Sequence, residues 1–141
     1  MMSMDTLINS IRASFDRDEV KRLLIVGGDT YWFDINATSD IASTGFCYLA
    51  SEVVYNLTGK SKQWWFKEII APDILPHNGK HYYLQNKDTG AILDITSDQF
   101  AHTQIPYDRS KNKGIRFRSK NCNQFIKILG INNGTKQQAT D

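Results

Sequence analysis

The sequence predicts an α+β domain with helices first, an antiparallel sheet next and a closing helix last. Three observations carry this. Apolar residues recur at helical spacing near the N-terminus and again between residues 46 and 57. From Trp64 onward the chain turns to short aromatic and β-branched runs divided by Gly, Pro, Asn and Asp. The final stretch returns to helical spacing. A length of 141 residues suits one domain with a real core. Within it, residues 1–30 read as an N-terminal helical segment, 40–130 as the core and 131–141 as a polar, flexible tail.

The first helix should run from Asp5 to Leu24. Asp5 can cap it, and Leu7, Ile8, Ile11 and Phe15 share one side. Asp16-Arg17-Asp18 interrupts it, and Gly27-Gly28-Asp29 ends it. Thr30 to Thr44, with Asn36, Asp40 and several Ser and Thr, reads mostly as loop, its Tyr31-Trp32-Phe33 cluster packed on the core or lining a cleft. The second helix should span Phe46 to Leu57, with Gly59 as its left-handed cap. Cys47, Ala50, Val54 and Leu57 form one stripe with Phe46, Leu49 and Val53 beside it, a wide apolar arc that suits a central, buried helix.

Trp64 to Ile70 reads as the first strand. Ala71 to Lys80, with Pro72, Pro76 and Gly79, is an exposed connection. His81 to Gln85 and Ala91 to Ile95 pair as a hairpin across the turn residues Asn86 to Gly90. Thr96 to Phe100 reads as a helical turn, Ile115 to Arg118 as an edge strand, and Asn121 to Leu129 as the closing helix. Asn132 to Asp141 is a polar tail expected to fray.

Composition narrows the function classes. Apolar residues at 40% and charged residues at 23% describe an ordinary globular chain. Seventeen basic against fifteen acidic side chains give a net charge of +2, too mild to argue for nucleic acid. The basic residues Arg109, Lys111, Lys113, Arg116, Arg118 and Lys120 read as a solvated edge that discourages strand pairing. No apolar run approaches the ~18 residues of a membrane span. Met1 to Asp5 lacks a basic region followed by an apolar one, so a cytoplasmic location is expected, with Cys47 and Cys122 as free thiols. His77, His81 and His102 are scattered and no C-x-x-C occurs, so neither a metal nor a cofactor is expected.

The residues that carry chemistry are Cys47, His81 and Asp94. Cys47 falls at the start of the second helix, where unpaired N–H groups and the helix dipole favour an anion. His81 opens one strand and Asp94 closes the next. A thiol nucleophile needs a base, and the base needs a partner that fixes its tautomer. Taken singly, Cys47 is a small core hydrophobe, His81 a strand-end histidine and Asp94 a turn cap; the three in this order favour a built site. An oxyanion hole would use the Cys47 N–H and a second donor from Asn36, Ser43 or Thr44, with Trp32 and Gln99 as further cleft residues.

These residues resemble a known pattern. Gly45-Phe46-Cys47, His81-Tyr82-Tyr83 and Asp94-Ile95-Thr96 are similar to the "G-x-C", strand-opening histidine and "D-x-T" blocks of papain-like proteins, in the form of the transglutaminase-like and NlpC-like core. More narrowly, Gly45 to Glu52, His81 to Leu84 and Gly90 to Phe100 resemble small bacterial and phage proteins of the YunG-like type. The similarity covers residues 40–118 and rests on three short blocks. It implies a papain-like fold and a Cys-His-Asp triad on Cys47, His81 and Asp94. It names no substrate.

The leading expectation is a cysteine hydrolase or acyltransferase acting on an amide, isopeptide or thioester of a peptide, protein or small molecule. The alternative is a catalytically idle binding protein on the same fold, such as a phage-encoded inhibitor or sponge of a host factor in the host cytoplasm. Tyr31, Trp32, Trp64 and Trp65 would then be interface anchors; the competing reading of Trp64 and Trp65 is core packing.

Overall fold

The computed structural model describes residues 2–115 and 117–131. Among them are five α-helices and one four-stranded antiparallel sheet, an α+β arrangement. The helices are α1 (Met4–Ser14), α2 (Asp18–Lys21), α3 (Tyr31–Thr38), α4 (Cys47–Leu57) and α5 (Lys120–Leu129). The strands are β1 (Trp64–Ile70), β2 (Lys80–Asn86), β3 (Ile92–Leu93) and β4 (Lys111–Asn112), in the order β3-β2-β1-β4. β1 and β2 form the long central pair, with Ile69 opposite His81.

Helix α4 is the hub. It packs on β2 and β1 and against α1 and α5. Eight of its residues are buried, among them Ala50, Val53 and Val54, as its wide apolar arc requires. The main core joins it to Leu7, Ile11 and Phe15 of the N-terminal section, Phe66 and Leu84 of the sheet, and Phe125 and Ile126 of α5. A second cluster of Ile69, Ala71, Leu75, Tyr83 and Phe100 lies beyond the sheet.

Several expectations are corrected. Tyr31 to Thr38 is helix, although Tyr, Trp, Asp and Asn are weak helix formers. Local bonds hold it: Asp29 accepts from the Tyr31 N–H, and the Thr30 hydroxyl donates to Asp34. Ser3, not Asp5, caps α1; its hydroxyl accepts from the Thr6 N–H while Asp5 sits in the first turn. Gly59 is not left-handed, and the chain after α4 continues into a 3₁₀ turn at Lys60–Lys62. The third strand is only two residues long because Asp94 and Ile95 leave the sheet for other partners. The edge strand lies at Lys111–Asn112; Ile115 and Phe117 are not in a strand, and Arg116 lies outside the described residues. The tail from 132 to 141 lies outside them as well. Trp64 and Trp65 divide between the two readings: Trp64 is core, whereas Trp65 is 42% exposed with Lys87 over its ring. Among the described residues no helix is long and apolar enough to cross a membrane.

One buried carboxylate ties the fold shut. Glu52 on α4 is 1% exposed, and both its oxygens accept from Ser119, one from the backbone N–H and one from the hydroxyl, each at 2.7 Å. Ser119 in turn caps α5 through the Cys122 N–H. Glu52→Ala leaves two donors unmatched and a cavity behind. It should cost about 2–4 kcal/mol in urea unfolding, with Glu52→Gln costing less because one acceptor remains.

Candidate active site

The structure places Cys47 as the first residue of α4, His81 as the second residue of β2 and Asp94 just past β3. The hairpin brings the last two together. His81 Nε2 lies 2.7 Å from Asp94 Oδ2, and both side chains are almost wholly withdrawn from solvent. Phe100 meets the imidazole edge-on at 4.8 Å between ring centres. The other ring nitrogen, Nδ1, is buried and makes no hydrogen bond.

Burial pulls the His81 pKa down, but the Asp94 hydrogen bond and the neighbouring Cys47 sulfur outweigh it and raise the value from 6.5 to about 9. The Cys47 sulfur thus influences the imidazole, while Nδ1 itself has no hydrogen-bond partner among the described residues. Loose contacts of this kind are common in unliganded sites. Among the described residues no acceptor reaches the backbone N–H groups of Cys47, Tyr48 or Leu49, so the first turn of α4 presents unpaired donors beside the sulfur.

The segment after β3 aligns these parts. Asp94 bonds His81. The Ile95 carbonyl accepts from Arg12 on α1. Asp98 accepts from the Ser43 hydroxyl at 2.7 Å. The Gln99 side chain accepts from the Gly45 N–H and donates to Thr96. One short stretch thus holds both the carboxylate and the loop that delivers Cys47. Gly45 has φ +90°, and a Cβ there would meet the Trp32 ring at 3.2 Å, so glycine suits this approach on two counts.

Four of the five oxyanion or cleft candidates are engaged in holding the loop. Asn36 gives its amide hydrogens to the carbonyls of Ala42 and Thr44 and accepts from Lys21. Ser43 donates to Asp98, Thr44 pairs with Ser39, and Gln99 is occupied as above. Trp32 alone lines the cleft, a mostly apolar cavity of about 530 Å³ that also includes Cys47.

Tyr107 is a site neighbour that sequence reasoning missed. Its hydroxyl donates to Asp94 Oδ2 at 2.8 Å, the same oxygen that His81 uses. Burial and this bond both raise the Tyr107 pKa, so it stays a donor. It sits in a 3₁₀ turn behind Pro106, where no motif spacing marks it. His77 and His81 stand four residues apart, but a left-handed His77 and a turn separate them. Among the described residues no group of three His, Cys, Asp or Glu could hold a metal ion. Comparison with protein-family models, with curated proteins and with solved structures found no match.

The raised His81 pKa has a stability consequence. The folded state binds this proton more tightly than the unfolded chain. The stabilisation is complete below pH 6.5 and is lost as pH rises through about 9. The gap in urea midpoint between the wild type and Asp94→Asn should therefore be widest near pH 6 and shrink towards pH 9.5. A gap that widens with pH would contradict the assignment of the proton to His81.

Proposed function

We propose that this chain is a cysteine-dependent hydrolase or acyltransferase of papain-like, transglutaminase-like architecture, acting on an amide, isopeptide or thioester. The observation that carries the reading is a buried imidazole bonded to a carboxylate, with its raised pKa owed in part to a helix-start thiol. Its motif blocks support the same reading, with Asp94, Thr96 and Gln99 each bonded to another part of the site.

Each residue has a role set by its chemistry. Asp94 fixes the ring orientation and stabilises the imidazolium, with Tyr107 holding the carboxylate in place. The attacking species is the thiolate of Cys47, next to the positive charge of the protonated ring. The thiolate attacks the acyl carbon, and the negative oxygen that develops is stabilised by the unpaired N–H groups at the start of α4. His81 then gives its proton to the leaving group as the bond to the acyl carbon breaks. Water or another acceptor, deprotonated by His81, attacks the thioester and frees Cys47.

A second reading, an idle binding protein on this architecture, draws on Tyr31 and Val26, which are 46% and 63% exposed. The state of the thiol separates the two. Cys122 does not interfere, because it is fully buried and burial, with Glu52 nearby, pushes its thiol up to about 12. Iodoacetamide should alkylate Cys47 in the wild type at pH 6, and His81→Ala should slow this at least about tenfold. Equal rates in the two proteins, or labelling that begins only in alkaline solution, would remove the nucleophile reading and leave the binding one.

A further inference from the structure

The cleft beside Cys47 has a chemical character that the nucleophile alone does not explain. Its walls include Leu23, Val26, Trp32 and Leu49, and its volume of about 530 Å³ lies in the range of small-molecule sites. Val26 stands 63% exposed at this cavity, an apolar side chain left in water unless a ligand covers it. Two lysines, Lys80 and Lys120, also line the cavity, and both are exposed. Among the described residues, no ion pair engages either ammonium. The one carboxylate in the lining, Glu52, is turned inward and spent on Ser119. The cavity is thus apolar in much of its wall, with two exposed lysines and several neutral polar side chains, Asn78, Tyr82 and Asn121 among them, at its polar positions. Lys80 directly precedes His81 on β2, so the two side chains leave the strand on opposite faces, Lys80 at the cavity.

From this juxtaposition we propose that the cleft binds an acyl compound with an apolar acyl group and an anionic leaving group, an N-acyl amino acid being the simplest member of the class. The proposal rests on the acyl-transfer reading of Cys47. The acyl chain lies against Leu23, Val26, Trp32 and Leu49, and the carboxylate reaches Lys80 or Lys120. Cys47 sulfur bonds to the acyl carbon, the C–N bond breaks, and the amine nitrogen takes the His81 proton. Water then replaces the sulfur, releasing the fatty acid and restoring the thiol and the imidazole.

The test is binding to Cys47→Ser, which needs no turnover. Titration calorimetry would compare N-octanoylglycine with its neutral glycinamide counterpart and with N-acetylglycine. The octanoyl acid should bind about fivefold tighter than the neutral amide at low salt, as two solvent-exposed lysines allow. N-acetylglycine, six methylenes shorter, should bind at least about a hundredfold more weakly. Lys80→Met combined with Lys120→Met should erase the preference for the acid and leave the preference for the long chain. Val26→Asp in the same Cys47→Ser background, at a position exposed enough to spare the fold, should weaken the octanoyl compound.

Equal binding of acid and amide, or of long and short acyl chains, overturns the proposal. If Cys47 is alkylated as expected at pH 6 while N-octanoylglycine does not bind, the nucleophile stands and this substrate class falls. If the ligand binds as described while alkylation ignores His81, the cleft stands as a binding site and acyl transfer falls.

Discussion

A charged or strongly polar pair inside a protein is tolerable only when nearly every polar atom finds a partner. His81 and Asp94 form such a pair, 2.7 Å apart and almost wholly removed from water. Much of the local structure follows from keeping them satisfied. Phe100 and Tyr83 flank the ring and exclude solvent. Tyr107 supplies the carboxylate with a second donor. Asp94 cannot continue the strand and also meet these partners, so β3 ends after Leu93. Two atoms of this pair, His81 Nδ1 and Asp94 Oδ1, have no hydrogen-bond partner among the described residues. An unmatched buried nitrogen beside a thiol is a cost that ordinary packing would remove, and its persistence is what a working site would require.

The same turn that frees Asp94 from the sheet also fixes the nucleophile candidate. Asp98 and Gln99 reach back to Ser43 and Gly45, four and two residues before Cys47. A shift of this turn would move the carboxylate and the cysteine loop together. Their relative placement is therefore protected even if the turn breathes against the rest of the domain. Arg12, bonded to the Ile95 carbonyl and to Asp98, anchors the turn to α1. The N-terminal helix thus has a part in positioning the site from the opposite side of the core.

What was legible in the sequence divides along the reach of the interactions. The long strands, the closing helix and the α4 stripe are written in local periodicity, and the His81–Asp94 approach follows from hairpin geometry across five turn residues. Cys47, His81 and Asp94 could therefore be nominated together. Helix α3 was not legible, because its residues disfavour helix and its support comes from loop bonds such as those of Asn36. The same bonds disqualify Asn36 as an oxyanion donor, since a side chain cannot brace a loop with both amide hydrogens and offer one to a substrate. Tyr107 and the Glu52–Ser119 clamp join residues 13 and 67 positions apart, and nothing in local spacing announces them.

The two cysteines show how far the surroundings, not the residue type, decide reactivity. Both lie on helices, and both are buried. Cys122 is in the first turn of α5, which should favour an anion as the start of α4 does. Yet the N–H of Cys122 is already given to the Ser119 hydroxyl, and Glu52 brings a negative charge to the same turn. Burial first, and the Glu52 charge second, raise its pKa to about 12. At Cys47 the first-turn N–H groups have no acceptor, the nearby ionisable partner is a proton-bearing imidazole, and a cleft opens beside the sulfur. A helix start is therefore not sufficient for a reactive thiol. It has to be left uncapped, and a cation has to be held against it. In this fold Ser119, braced by Glu52, caps one helix, while the first turn of the other is left uncapped beside the His81–Asp94 pair.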